Sequence, residues 1–331
     1  MSDVSAASST RPVVAPLRLA NGPGSWAVDA AGDPRNPPWR DVLRAVAATG
    51  YGWTELGPFG YLPEDPGVLR DALAEHRLGA VGSFLMEPLD GAPDVLGGHA
   101  RRTARWSAAA GASVLVVLDA GDEPRRLGAG RSADAPRASA RAWAALVEGA
   151  RRVAAEVRDA GLVPVFHPHA GTRVEFADEV DRLLADVPEL MLCLDTGHAA
   201  YAGDDPLDLF ARHADRVAYL HLKDIDDQVH AYALGDRIDF AAAVARGVFV
   251  PLGTGAIDFL ALRDALRAHG FDGLALVEQD VAPGELERAP RDARASRRYA
   301  ERIGLARTAA ADAATAVPTS PDRSQGGPHG V

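Results

Sequence analysis

Several residue types and patterns are scarce in this chain of 331 residues. Cys193 is the single cysteine, so neither an internal disulfide nor a cluster of thiolate ligands can form. No run of about 18 apolar residues occurs, which argues against a transmembrane helix. Basic residues do not dominate, since 35 Lys and Arg stand against 46 Asp and Glu for a formal charge of -11. This balance disfavours nucleic acid or an anionic membrane surface as the main partner.

Two further scarcities concern the start of the chain and its lysines. The opening segment MSDVSAASSTRPVV has no apolar region and no positively charged region, so we expect no signal peptide and a cytoplasmic location. Lysine is almost absent, because Lys223 is the only lysine among the 35 basic residues. The location of Lys223 in the fold is therefore of particular interest.

Both ends of the chain are rich in small, polar and helix-breaking residues. Such segments bury too little apolar surface to offset the loss of chain entropy. We expect a disordered N-terminal tail over 1–15, one folded domain over 16–307 and a disordered C-terminal tail over 308–331.

Between the tails, short apolar runs alternate with longer segments of helical spacing. Continuous apolar strands that alternate with helices are typical of a parallel sheet covered on both faces. An open doubly wound sheet would show an early GxGxxG turn, and the NGPGSW segment at 21–26 is not that pattern. Eight units therefore favour an α/β fold of the (β/α)8 TIM-barrel type in a single domain. The eight runs lie at 17–21, 52–57, 79–85, 113–119, 162–169, 190–198, 217–224 and 273–280.

Four consecutive predicted strands finish in residues that commonly bind metals. Side chains two residues apart share one face of a strand, and neighbouring strands lie about 4.8 Å apart, so these groups can converge at one mouth of the barrel. Mixed imidazole and carboxylate groups suit Mn, Co, Zn or Fe(II). Glu55 ends the second predicted strand and faces the same mouth, either as a substrate contact or as a brace. The four strand ends carry His167 and His169, Asp195 and His198, His221 and Lys223, and Glu278 with Asp280.

These strand ends carry motifs that resemble a known family. DTGH (195–198), HLKD (221–224) and VEQD (277–280) resemble the signatures of the xylose isomerase-like TIM-barrel superfamily, the sugar isomerase and epimerase group. HPHAGT (167–172) and GVFVPLGTGAIDF (247–259) are similar to its inosose dehydratase branch. The resemblance covers about residues 17–305.

The resemblance implies a divalent metal ion, with Mn or Co favoured over Zn. By motif position its ligands are Asp195, His221, Glu278 and a histidine at the end of the 162–169 strand. His167 stands where many members carry glutamate, and either His167 or His169 could fill that ligand position. Epimerases of the family use two metal-bound glutamates, whereas this chain retains only Glu278, which makes two-carboxylate epimerisation less favoured.

The resemblance also implies a reaction, namely a lyase that dehydrates a keto-inositol or related cyclic keto-sugar through a metal-stabilised enolate. Glu278, His169 and His198 are the candidate bases, while His169, His198 and Lys223 are the candidate proton donors. Substrate-binding residues are expected to be Glu55, His169, His198 and Lys223. The expected partner is a small polyol or keto-sugar, and a homo-oligomer is compatible with such a barrel.

Three other functions remain open from the sequence. The first is a metal-dependent isomerase or epimerase acting on a free or phosphorylated ketose. The second is cleavage of a 3-keto-glycoside in the same type of barrel. The third is a sugar-binding or assembly subunit without activity, which the complete set of ligand-type residues argues against.

Overall fold

The structure, a computed structural model, describes residues 16–316, with side chains left undescribed for Pro283 and 313–316. Parallel strands form a barrel with helices packed around it, which confirms the predicted TIM-barrel fold. Each of the eight predicted apolar runs contains a barrel strand. The strands are β1 Arg18–Asn21, β2 Trp53–Thr54, β3 Gly79–Ala80, β4 Gly82–Glu87, β5 Val114–Asp119, β6 Val163–Phe166, β7 Met191–Asp195, β8 Val217–Leu222, β9 Asp224–Ile225, β10 Phe249–Val250 and β11 Leu274–Val277.

The barrel has eight positions although nine strand segments contribute to it. The order around the sheet is β3-β2-β1-β11-β8-β7-β6-β5-β4, and only Val81 separates β3 from β4. Val81 N donates to Thr54 O at 2.9 Å, and Val81 O accepts from Ser113 N at 2.9 Å. These two bonds join the two ends of the sheet. The short β9 and β10 pair with each other, antiparallel, outside the barrel.

Helices follow the strands and cover the outside of the barrel. Their apolar faces pack against the sheet, and the barrel interior is filled by a separate small cluster that includes Val116, Val165, Cys193 and Leu276. The helices are α1 Trp39–Ala48, α2 Pro66–Glu75, α3 Pro93–Ala109, α4 Glu123–Gly128, α5 Ala140–Asp159, α6 Ala177–Asp186, α7 Thr196–Tyr201, α8 Pro206–His213, α9 Asp227–Gly235, α10 Phe240–Ala245, α11 Phe259–His269, α12 Ala289–Arg302 and α13 Ala309–Ala316. Three short 3-10 turns lie at Pro23–Trp26, Ala214–Arg216 and Pro283–Glu285.

The folded chain continues beyond residue 307, where the sequence predicted its end. Helix α13 occupies 309–316, inside the segment we expected to be disordered. Asp312 on this helix accepts hydrogen bonds from Leu19 N at 3.1 Å and from Arg297 Nη2 at 3.0 Å. The helix is thereby tied to β1 and α12. The remaining tail residues, 1–15 and 317–331, lie outside the described residues, so the predicted boundaries there stay predictions.

Within residues 16–316, no helix combines the length and the apolar character needed to cross a membrane.

Candidate metal centre

Four side chains of metal-ligand type meet at the carboxyl-terminal mouth of the barrel. His167 follows β6 directly, Asp195 ends β7, His221 lies near the end of β8 and Glu278 follows β11. These strands are neighbours in the barrel. One potential ligand atom from each of the four residues lies within 4.8 Å of those of the others. The convergence predicted from strand alternation is therefore present in the structure.

The polar atoms of this cluster fit a cation. Asp195 Oδ2 is buried and, within the described chain, has no hydrogen-bond partner. It lies 3.4 Å from His167 Nε2 and 3.7 Å from His221 Nδ1. A buried carboxylate oxygen needs a donor or positive charge beside it, and a bound divalent ion would add to the charge of Lys223 Nζ, which lies 3.5 Å away. Imidazole nitrogen together with carboxylate oxygen is a donor set for divalent transition metals.

Glu55 lies behind His221 and orients it. Glu55 Oε1 is 3.0 Å from His221 Nε2, while His221 Nδ1 is 3.1 Å from Glu278 Oε2. The Nδ1 atom therefore faces the cluster, and Nε2 is engaged by the carboxylate on the opposite side of the ring. A carboxylate that holds the second nitrogen of a ligand histidine fixes its tautomer and its direction. This contact is that of a brace, and the Glu55 side chain also lines the cavity, so the geometry is compatible with both predicted roles.

Lys223 lies beside the cluster with almost no exposure to solvent. Its Nζ is 3.1 Å from Glu278 Oε2, 3.5 Å from Asp195 Oδ2 and 3.0 Å from Asp280 Oδ1. Burial alone would lower the pKa of Lys223, but the carboxylates of Asp195, Asp280 and Glu278 raise it well above its usual value. The ammonium group is therefore charged at neutral pH. Gly197 leaves room for this side chain, because a Cβ at that position would lie 2.6 Å from Lys223 Cγ.

His169 and His198 form a second pair of rings next to the cluster. Their ring centroids lie 3.9 Å apart. Burial, followed by electrostatic interaction with His167 and Lys223, lowers the pKa of His169 to about 3. Burial also lowers the pKa of His198 well below its usual value. Burial therefore disfavours the imidazolium form of both rings.

The tautomer of His169 follows from its backbone contact. His169 Nδ1 is 2.9 Å from the carbonyl oxygen of Ala170, and only a protonated Nδ1 can form a hydrogen bond with a carbonyl. In the neutral ring, Nε2 then carries the lone pair. His169 lies outside the four-residue metal cluster, which contains His167 instead.

Two carboxylates of the site were not among the predicted site residues. Asp280 lies two residues after Glu278 and contacts Lys223, and burial raises its pKa. Strand alternation alone could have identified it, since residues 278 and 280 share a face. Asp29 lines the same cavity from the loop after β1. No motif singled it out, because its position depends on the path of that loop.

The loop after β6, which carries His167 and His169, is clamped from several sides. Glu175 accepts hydrogen bonds from Gly130 N at 2.6 Å and from Gly171 N at 3.0 Å. Arg125 on α4 reaches Thr172 O at 2.7 Å and binds both carboxylate oxygens of Glu179. All of these side chains are buried. The loop is therefore held in one conformation relative to α4, which lies at the mouth.

The cluster opens into a cavity of about 480 Å³. This volume lies within the ~300–1,000 Å³ typical of sites that enclose small organic ligands. Ionisable side chains, including those of Asp29, Glu55 and Asp280, line one part of the cavity. Apolar side chains of β4, β5 and α10 line the remainder.

Fold and site together define a TIM-barrel protein with a candidate divalent-metal centre at the mouth of the barrel. The profile of the family described as xylose isomerase-like TIM barrel matches residues 43–303 of the chain. The chain therefore belongs to the xylose isomerase-like TIM-barrel family, as its strand-end motifs predicted.

Among curated proteins, the chain is similar to inosose dehydratases. It is 34% identical over 280 residues to the inosose dehydratase of Geobacillus kaustophilus, covering 82% of this chain and 89% of that protein.

Two solved structures share the fold. The probable 3-DHS dehydratase AsbF of Bacillus anthracis superposes with a TM-score of 0.64 at 17% identity, over 85% of this chain and 97% of that one. The IOLI protein, whose structure is described as having a binding zinc atom, superposes with a TM-score of 0.62 at 14% identity, over 88% of this chain and 98% of that one.

Proposed function

We propose that this protein is a divalent-metal-dependent lyase that removes water from a keto-inositol or a related cyclic keto-sugar. The observation that carries this proposal is the cluster of His167, Asp195, His221 and Glu278, with the Lys223 ammonium group beside it. The similarity to inosose dehydratases over most of both chains supports the same reaction.

The residues of the cluster would hold the ion through one atom each. A divalent cation held there would supply a Lewis acid that draws electron density from the ketone oxygen of the substrate. We propose Mn or Co as the ion, with Zn as the third choice, on the strength of the family resemblance; the mixed nitrogen and oxygen donor set suits all three.

We propose His169 as the group that takes the proton from the carbon next to the ketone. Its Nδ1 proton is engaged by Ala170 O, which leaves the lone pair on Nε2, and its side chain lines the cavity. The C–H bond breaks, the proton goes to His169 Nε2 and the electron pair forms the double bond of an enolate. A base must lie within hydrogen-bond reach of the proton it removes, and His169 lines the cavity that would hold the substrate.

Lys223 is proposed to act on the leaving hydroxyl group. As the C–O bond at the β-carbon breaks, the Lys223 ammonium group donates a proton to the departing oxygen and water forms. Proton exchange with solvent then returns His169 and Lys223 to their starting states. His198, whose Nε2 is 3.2 Å from Lys223 Nζ and whose ring lines the cavity, is proposed to contact the substrate. The net reaction converts a ketone that carries hydroxyl groups on its α- and β-carbons into the enol of a diketone plus one water.

A two-carboxylate epimerisation is less well supported. It needs two glutamates free to face the substrate from opposite sides, and Glu278 is one glutamate at the mouth. Glu55, the other glutamate that lines the cavity, is engaged with His221 Nε2 at 3.0 Å. We retain a sugar isomerase or epimerase, and cleavage of a 3-keto-glycoside, as outcomes that the product of the reaction distinguishes.

The test is turnover of a small panel of keto-inositols and ketohexoses, with Mn or Co added, and products identified by mass. A product lighter than its substrate by one water supports the dehydratase. A product of unchanged mass would replace it with the isomerase or epimerase, and release of an aglycone from a 3-keto-glycoside would replace it with the cleavage reaction. Cytoplasmic location and a homo-oligomeric state stay predictions, to be checked by cell fractionation and light scattering.

A further inference from the structure

The mouth of the barrel has two chemically different halves. The strands β6, β7, β8 and β11 end in the ligand-type residues described above. By contrast, the cavity-lining residues of β4 and β5 are Phe84, Met86, Val116 and Leu118. None of these four side chains can donate a strong hydrogen bond or accept one.

The apolar half lies opposite the reactive half. In a barrel of eight positions, a strand faces the strand that lies four positions away. The strand order places β4 across from β8, which carries His221 and leads into Lys223, and β5 across from β11, which leads into Glu278. A ring whose ketone edge contacts the cluster therefore directs its far edge towards β4 and β5.

Helix α10 extends the apolar half outward. Phe240, Ala241 and Val244 on this helix line the cavity together with Met86. A second cavity of about 420 Å³ adjoins the first and shares Met86, His169, Phe240 and Ala241 with it. Met86 is 42% exposed, which is unusual for a large apolar side chain that lies inside a barrel mouth. Charged residues also line this second cavity, so the apolar surface ends where the two cavities meet.

This surface is a poor match for a ring that carries only hydroxyl groups. A hydroxyl directed at Val116 or Leu118 would lose its water without gaining a partner, and that loss weakens binding. An alkyl group at the same place would gain apolar contact instead. The volume of the main cavity, about 480 Å³, has room for a ring together with such a group.

We infer that the substrate is a cyclic ketopolyol with an apolar ether substituent on the part of the ring farthest from the ketone. The substituent lies against Phe84, Met86, Val116 and Leu118, with Phe240 and Val244 covering it. This inference rests on the proposed dehydratase function and adds to it the class of substrate.

The direct test compares a keto-inositol with its O-methyl ether at the carbon across the ring from the ketone. The metal-loaded protein is expected to dehydrate the ether with a kcat/KM about tenfold higher, through contact of the methyl group and removal of an unpaired hydroxyl. A kcat/KM that is equal or higher for the unsubstituted ring would overturn the inference and leave the dehydratase function intact.

A binding measurement separates the two proposals. Inositol and its O-methyl ether have no ketone and do not react, so calorimetry reports their affinities without turnover. If neither ketone is dehydrated, the proposed function fails, and the calorimetric comparison then decides the inference alone. Tighter binding of the ether supports the apolar subsite, and equal or weaker binding, or no binding of either compound, overturns it.

Met86→Gln tests the location of the subsite. Glutamine has a similar shape but offers a donor and an acceptor, so the preference for the ether is expected to fall several-fold. Met191→Gln is the matched control, because Met191 begins β7 at the opposite end of the barrel, and it should leave the preference unchanged. An unchanged preference in Met86→Gln, or an equal loss in both variants, would contradict the location.

Discussion

Lys223, the single lysine of the sequence, has a distinct place in the structure of the site. A single lysine in an arginine-rich chain lies at the centre of the site, with Nζ within 3.5 Å of three carboxylates. Arginine and lysine differ here because a guanidinium is larger and planar, whereas an ammonium is a compact point charge. The space beside Gly197 admits the narrow lysine chain. The presence of lysine rather than arginine at this position thus has a physical explanation.

Lys223→Arg is expected to reduce kcat/KM by about a hundredfold or more, because the guanidinium cannot place a proton where Nζ lies. Overpacking at this buried position should cost ~1–3 kcal/mol of unfolding free energy. Steady-state kinetics, chemical denaturation and metal analysis of the same sample check this. Near-normal turnover would show that the lone lysine has no catalytic role.

Glu55→Gln is expected to weaken metal binding about 10- to 100-fold, since Glu55 orients His221 from behind. Titration calorimetry with Mn measures the effect. Glu87→Gln is a matched control, because Glu87 Oε1 also binds a histidine, His99 Nδ1 at 2.7 Å, but outside the metal cluster. Equal metal affinities in wild type and Glu55→Gln would mean that the contact does not position His221.

At this scale the sequence identified the four side chains that converge at the mouth, but it did not determine which residues support them. His167, Asp195, His221 and Glu278 could be found because strand alternation places their side chains on one face. The brace role of Glu55 depends on a distance to a ring nitrogen on another strand, which no local pattern contains. The apolar half of the mouth was not predicted, since Phe84 and Val116 resemble ordinary core residues.

Among the elements, the loop after β6 carries residues of the site and is held in place by several buried hydrogen bonds. Glu175 contacts amides of two segments, and Arg125 connects α4 to the same loop. Burial raises the pKa of Glu175 to about 7, although the amides of Gly130 and Gly171 and the charge of Arg125 lower it in part. The conformation of this loop should therefore depend on the protonation of a residue that does not contact the metal cluster.

The pH dependence of stability follows from this shift. Between pH 4.5 and about 7 the folded protein keeps a proton on Glu175 that the unfolded chain has lost. Its contribution to the unfolding free energy is thus complete below pH 4.5 and is lost as the pH rises through about 7, by about 3 kcal/mol in total.

Glu175→Gln should remove this contribution to the pH dependence of the unfolding free energy, because glutamine does not titrate. Denaturant unfolding at several pH values checks it, with Glu75→Gln on an exposed face of α2 as the control. The comparison uses the slope of the unfolding free energy against pH and not its absolute value. Glutamine has one oxygen acceptor fewer for the two backbone amides, so the absolute value also changes for that reason. A slope identical to that of the wild type would contradict the assignment.

The turn after β1 approaches the cluster closely. A Cβ on Gly24 would lie 2.5 Å from Glu278 Oε1, the mobile end of that side chain. Gly24→Ala should therefore displace the carboxylate and weaken Mn binding about tenfold or more, with little loss of stability. Gly98→Ala on α3, where a Cβ would meet nothing within 4 Å, should leave Mn affinity unchanged. Unchanged affinity in Gly24→Ala would show that Glu278 does not ligate the ion.

The repeating elements of the barrel could be predicted, but the elements at its mouth could not. Apolar runs and helical spacing located the strands and the helices α1, α5, α6 and α11. The short α4, α7 and α10 lie in connections, where only six residues form each helix and tertiary contacts outweigh local preference. These connections determine the shape of the cavity, so its specificity had to come from the structure.

For the whole molecule, the barrel divides its mouth into a reactive half and an apolar half. Closure through Val81 places the ends of β4 and β5 opposite those of β8 and β11. Each half lines the same cavity. Substrate orientation and proton transfer are therefore both consequences of the order of strands around one barrel.

The most direct test measures metal content and dehydration of a keto-inositol on the same samples of wild type and Asp195→Ala. Asp195 is chosen because its buried Oδ2 lacks a hydrogen-bond partner within the described residues. The account predicts one divalent ion per wild-type chain and a product lighter by one water, with both lost after chelation and in Asp195→Ala. Full dehydration by a sample without bound metal would contradict it.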